Sequence, residues 1–230
     1  LANNRIDGSW GKPNSNEGEG ICWQKQQRLA YSRVQTASLN ELVDNTQSWI
    51  PDAFKGAEVV IIAGRGIGQM RSIISNTEHN ITLEKPWQIV PDESSIYTID
   101  PYITTHCILA GNRIVARTHK GGIVLYTKDF NNIIVNNVLS NTGGIWLTST
   151  QVVEQKRADF SYFTYVCGNQ INGASTSPDE GNKKGNSVII GPAADGGVGA
   201  SHATELPAVG IYGHEIRRNS IIGIGSDVHC

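Results

Sequence analysis

Charge is scarce in this chain: Asp, Glu, Lys and Arg together make up 17% of 230 residues. Long amphipathic helices draw on Ala, Leu, Glu and Lys, so a helix bundle is a poor fit to this composition. The balance of 19 Lys and Arg against 21 Asp and Glu leaves a net charge of −2. Such a chain has no global attraction to nucleic acid or to an anionic membrane, and a charged partner must be met by a local patch. No apolar run approaches the roughly 20 residues of a membrane span, so a soluble protein is expected. Cys22, Cys107, Cys167 and Cys230 lie far apart with no C-x-x-C pair, which argues against structural zinc. Two disulfides or buried free thiols fit them equally well. Methionine occurs once, as Met70, and the chain opens on Leu1 and stops at Cys230. A processed or incompletely observed chain is therefore expected, and the lack of a targeting segment carries little weight.

What is abundant is glycine, at 25 residues, together with asparagine and isoleucine. That mixture suits many short strands separated by tight turns. The stretch VVIIAGRGIGQMRSIIS, residues 59–75, sets Gly64, Gly66 and Gly68 at alternate positions after an apolar run. A dinucleotide fingerprint would need a helix behind its glycines to receive the pyrophosphate. Met70, Ile73 and Ile74 keep no helical stripe past Ser75, so a glycine-permitted turn between two strands is predicted. In the first 54 residues the best helix candidate lies within 29–49, with Ser38 as cap ahead of Leu39, Leu42 and Val43.

Self-similarity is the strongest organising signal. Gly121-Gly122-Ile123-Val124-Leu125 recurs 22 residues later as Gly143-Gly144-Ile145-Trp146-Leu147. An Asn-x-aliphatic element returns at Asn112, Asn137, Asn169 and Asn219. Short strands repeating at such periods predict a solenoid, with each Asn amide pairing with its counterpart in the next coil. On these residues 107–230 resemble the right-handed parallel β-helix superfamily of pectate and alginate lyases, polygalacturonases and phage tailspikes. Residues 57–100, through the 64–71 turn, Pro86-Trp87 and Pro91-Asp92, resemble a small β-rich insertion of phage-associated and secreted β-helix proteins. The resemblance implies an all-β fold. Coils and loops would occupy 1–56, a hairpin-rich insertion 57–100, and further coils 101–230, continuing beyond the observed chain.

In such a fold chemistry belongs to outward residues. Arg113, Arg117 and His119 share an outward row, and Val124, Tyr126, Trp146 and Thr148 should point outward in the Gly-Gly-Ile strands. Trp146 beside Tyr126 would stack on a sugar ring, with Arg113 as a carboxylate partner. β-Elimination needs a base and a cation at the uronate, chemistry that Arg117, His119 and Lys120 could supply as catalytic residues. Hydrolysis needs two carboxylates, from Asp129, Glu154, Asp159, Asp179, Glu180, Glu215 and Asp227. No paired acidic motif stands out among these: Tyr212-Gly213-His214-Glu215 is only half of the polygalacturonase Gly-His-Gly element, and Asn141-Thr142 is followed by Gly143, not Asp. The polar stretch 175–186 lacks the alternate-oxygen spacing of a calcium loop, and no cofactor is expected.

The expectation is a carbohydrate-interacting protein that degrades an extracellular acidic polysaccharide as lyase or hydrolase, secreted or on a virion surface. The alternative is a non-catalytic adhesive or structural spike, with a homotrimer or other self-assembly and no nucleic-acid partner.

Overall fold

The computed structural model describes residues 1–9, 20–24, 28–116, 122–126, 128–152, 157–172, 186–194, 197–198, 210–222 and 227–229. Every regular element among them is a strand, so the chain is all-β. It divides into two compact units, one formed by Leu1–Lys25 with Thr104–Cys230 and the other by Gln26–Ile103.

In the first unit the strands are short and are shared among four sheets whose pairs are parallel except where Arg157–Ala158 and Gly197–Val198 join the third. One sheet aligns Ile108–Ala110, Ile133–Val135, Tyr165–Cys167 and Glu215–Arg217. A second aligns Arg5–Ser9, Arg113–Ala116, Val138–Ser140, Gln170–Asn172 and Ser220–Ile222. A third runs through Ile21–Gln24, Ile123–Tyr126, Ile145–Val152, Asn186–Ala194 and Asp227–His229. The fourth aligns Thr104–Thr105, Asp129–Phe130, Phe160–Tyr162 and Gly210–Tyr212. From Ile108 onward the chain visits these sheets in the same cyclic order. The repeated Gly-Gly-Ile strands pair in parallel, Ile123 with Ile145, Val124 with Trp146 and Leu125 with Leu147.

Period-two alternation decides what is inside. Leu109, Ile134 and Val166 form one buried column, and Ile114, Leu139 and Ile171 another. Between the first two sheets the chain turns a corner at Asn3, Gly111, Asn136, Gly168 and Arg218, all with φ between 52° and 65°. This left-handed region is cheap only for Gly and tolerable for Asn. One residue later stands an asparagine every time. Asn4, Asn112, Asn137 and Asn169 each donate Nδ2 to the Oδ1 of the next asparagine, at 2.9–3.0 Å, ending on Asn219. Their backbone N–H groups donate to the same oxygens at 2.9–3.1 Å. The amides thereby satisfy corner groups that the strand ladders cannot reach.

The second unit is a seven-stranded antiparallel sheet. Its spatial order is Ala30–Arg33, Ile96–Asp100, Glu58–Ala63, Met70–Asn76, Asn80–Leu83, Glu41–Val43 and Thr36–Ala37. Gly64, Gly66 and Gly68, with φ of 76°, 81° and 84°, form the turn between two antiparallel strands that the sequence predicts. A Cβ on Gly64 would run into the Ser94 carbonyl. The buried Gln69 amide locks this turn: Nε2 donates to the carbonyls of Gly66 and Ile89 at 3.1 and 2.7 Å. Its Oε1 accepts from the N–H groups of Gln88 and Ile89 at 2.8 and 3.0 Å. Arg71 donates Nε to the Pro86 carbonyl at 2.8 Å and lies over the Trp87 ring.

Two expectations are corrected. Residues 29–49 form strands and turns, not a helix: Ser38 N–H donates to the Glu41 carbonyl, and Leu39 is 60% exposed. Leu39, Leu42 and Val43 therefore make no buried stripe that could stabilise a helix. The expected membership of the right-handed parallel β-helix superfamily also fails. The strands are split over several separate sheets, parallel and antiparallel, in place of a single solenoid. The physical reason is visible in the second unit, where tight turns force strand reversal, and in Arg157–Ala158 and Gly197–Val198, which add to the third sheet antiparallel.

Candidate functional site

The residues expected to carry function do not assemble into one described site. Arg117, His119 and Lys120 lie outside the described residues, as do Glu154, Asp179 and Glu180. Arg113 is exposed in the second sheet, whereas Trp146 and Tyr126 belong to the third. Arg113 stands directly beside Arg5, itself exposed and paired with Asp7. Trp146 is partly buried, and its Nε1 donates to the Gly143 carbonyl at 2.8 Å. Its neighbour Val124, expected to face outward, is only 2% exposed. Tyr126 pairs with Thr148, which sets it diagonal to Trp146 along the ladder.

The acids sort by burial. Glu215 is exposed and paired with Arg217. Asp129 is fully buried, and Asp159 nearly so, with its Oδ1 4.0 Å from the Nζ of the fully buried Lys128. Asp129 sits in a column of small polar residues, because Thr104, Asp129 and Ser161 occupy the same register on adjacent strands of the fourth sheet.

Asp129 Oδ2 accepts from Ser161 Oγ at 2.8 Å and from Thr164 Oγ1 at 3.1 Å. Ser161 Oγ also lies 3.1 Å from His214 Nε2, and the Thr164 N–H donates to His214 Nδ1 at 3.0 Å. A backbone N–H can only donate, so Nδ1 is an acceptor and the imidazole proton is on Nε2. The proton order follows: His214 Nε2–H donates to Ser161, and Ser161 O–H donates to Asp129. Burial pushes the Asp129 carboxyl up to about 7, against the hydrogen bonds from Ser161 and Thr164. Burial also pushes the His214 imidazole down.

Serine, histidine and aspartate do meet here, but in the wrong order for nucleophilic catalysis. A catalytic serine gives its proton to histidine and is open to substrate. Ser161 gives its proton to a carboxylate and is fully buried. The group is a buried polar relay that fixes the fourth sheet against the loop carrying His214. Sequence reasoning noted His214 through its Gly-His neighbourhood but passed over Ser161 and Thr164. The available signal was a polar residue at the inward position of successive short strands.

Among the described residues no group of three or more His, Cys, Asp and Glu is placed to hold a metal ion. No described helix is long and apolar enough to cross a membrane. Comparison with known proteins adds no family: no protein-family model matches the chain, and neither does any curated protein or solved structure.

Proposed function

We propose that the first unit is a non-catalytic binding module for an acidic polysaccharide, held on the outer faces of its parallel sheets and working outside the cell. One observation carries the reading: Arg5 and Arg113 stand exposed side by side on neighbouring parallel strands. Adjacent strands are about 4.8 Å apart, so the Arg113 guanidinium, with the Asp7-paired Arg5 beside it, suits a carboxylate of a uronate chain. The burial of Asp129 and Asp159 supports binding over cleavage, since both carboxylates are committed to internal partners.

The test is retention of the intact protein on immobilised acidic and neutral polysaccharides, with uronate absorbance and reducing ends followed in parallel. Binding to acidic polymers that weakens on raising the salt, and weakens about tenfold or more in Arg113→Ala, is the expected result. Equal retention of the variant refutes the role of Arg113. Unsaturated product would instead establish a lyase and direct attention to Arg117, His119 and Lys120.

A further inference from the structure

Lys128 brings an amine into the first unit that the relay of Asp129, Ser161 and His214 does not use. It is fully buried, which is rare for lysine unless its amine has a partner. Its backbone has φ of 54°, in the left-handed region that is cheap only for Gly and tolerable for Asn. The Thr104 N–H donates to its carbonyl at 2.9 Å, which anchors the backbone in that shape. A surface lysine would carry its amine out to water, whereas this one is held inward.

The amine meets Asp159. Nζ lies 4.0 Å from Asp159 Oδ1, and the two side chains are 0% and 7% exposed. Lys128 and Asp159 stand just ahead of Asp129–Phe130 and Phe160–Tyr162, which are neighbouring strands of the fourth sheet. Phe160, next to Asp159 in the chain, is fully buried. A charge-assisted hydrogen bond would draw such a pair to about 2.7–2.9 Å, so at 4.0 Å this contact offsets little of the cost of burying two charges.

We infer that Lys128 and Asp159 condense to an amide that cross-links the two strands. A proton passes from the Nζ ammonium to the carboxylate, and the Nζ lone pair then attacks Cγ. The Nζ–Cγ bond forms, a second proton from Nζ joins the departing oxygen, and the Cγ–O bond breaks with loss of one water. No oxidant or co-reactant is needed, and two buried charges disappear. Holding both groups in place makes the step unimolecular, and desolvation is a known way of turning a lysine into a nucleophile. Cys107 and Cys167 are free thiols, so the amide supplies a covalent tie that these cysteines do not. The inference does not depend on the polysaccharide reading.

The intact folded protein, kept in neutral buffer and then denatured, should weigh about 18 Da less than its sequence, the mass of one water. Protease digestion and tandem mass spectrometry should yield a branched peptide that joins Lys128 to Asp159. Lys128→Arg keeps the charge but lacks the amine, and it should have the full sequence mass. Full mass in the parent protein overturns the inference. So does a deficit that persists in Lys128→Arg or that comes without the branched peptide, because water is then lost elsewhere in the chain. The two measurements on the parent decide the matter even where Lys128→Arg fails to fold.

Discussion

Replacing Asn137 by alanine should cost the first unit much of its stability. Asn137 is fully buried, and its side chain makes four hydrogen bonds. Nδ2 donates to the Leu109 carbonyl and to Asn169 Oδ1, each at 2.9 Å, and Oδ1 accepts from Asn112 N and Nδ2, each at 2.9 Å. Alanine removes all four and leaves the Asn112 N–H buried with no partner, while the Leu109 carbonyl keeps only its ladder bond. The orphaned N–H costs about 1–3 kcal/mol and the other three lost bonds about 1 kcal/mol each at most, which gives a loss of about 3–5 kcal/mol. Asn219 is only half-buried at the end of the ladder, and its side chain serves only the neighbouring Asn169 and Val166. Water can replace part of what Asn219→Ala removes, so that loss should be about 1 kcal/mol. Urea unfolding followed by far-UV circular dichroism compares the two. A cost for Asn137→Ala no larger than that for Asn219→Ala would refute the argument that the ladder is held by buried amides.

Two further predictions follow from local geometry and titration. Gly168 has φ of 65°, and a Cβ there would press on Asn136 Oδ1, whereas a Cβ on Gly56, with φ of 83°, meets nothing within 4 Å. Gly168→Ala should therefore lower the thermal midpoint more than Gly56→Ala, which carries only a left-handed penalty of about 1–2 kcal/mol. The Asp129 carboxyl, raised to about 7 in the folded state, contributes stability that is whole below its unfolded value of about 4 and is lost as the pH rises toward 7. His214 is lowered, so its contribution is whole above its unfolded value of about 6.5 and is lost as the pH falls below it. Asp129→Asn should abolish the decline between about pH 4 and 7 in a series of urea midpoints, leaving the opposite slope of His214 below about 6.5. An unchanged profile in that variant would show that Asp129 is already ionised in the folded protein.

Much of the strand arrangement was legible because it repeats. Gly-Gly-Ile-x-Leu fixes both the alternation and the register of Ile123 on Ile145, and the spaced asparagines mark the ladder. The glycine turn at 64–68 was legible from the missing helix behind it. Leu39, Leu42 and Val43 misled because a spacing of three and four suits a helix, yet Leu42 alone is buried deeply. The superfamily resemblance failed for a different reason: alternation and corner asparagines report how strands stack, not descent. Asp129, Ser161 and His214 were illegible as a group because they are brought together only by pairing across 32 and 53 residues of chain. Each looks ordinary in its own segment.

The asparagine ladder also acts as a ruler that ignores the length of thread between its marks. Successive amides lie 25, 32 and 50 residues apart in the chain, yet they bond at the same 2.9 Å. Closing a flexible excursion of twice the length costs only about 0.6 kcal/mol more, less than a single buried hydrogen bond returns. The step from Ile108 to Arg113 is copied without insertion from Ile133 to Val138, from Tyr165 to Gln170 and from Glu215 to Ser220. Length variation thus falls outside this corner step, where added residues cost the ladder almost nothing.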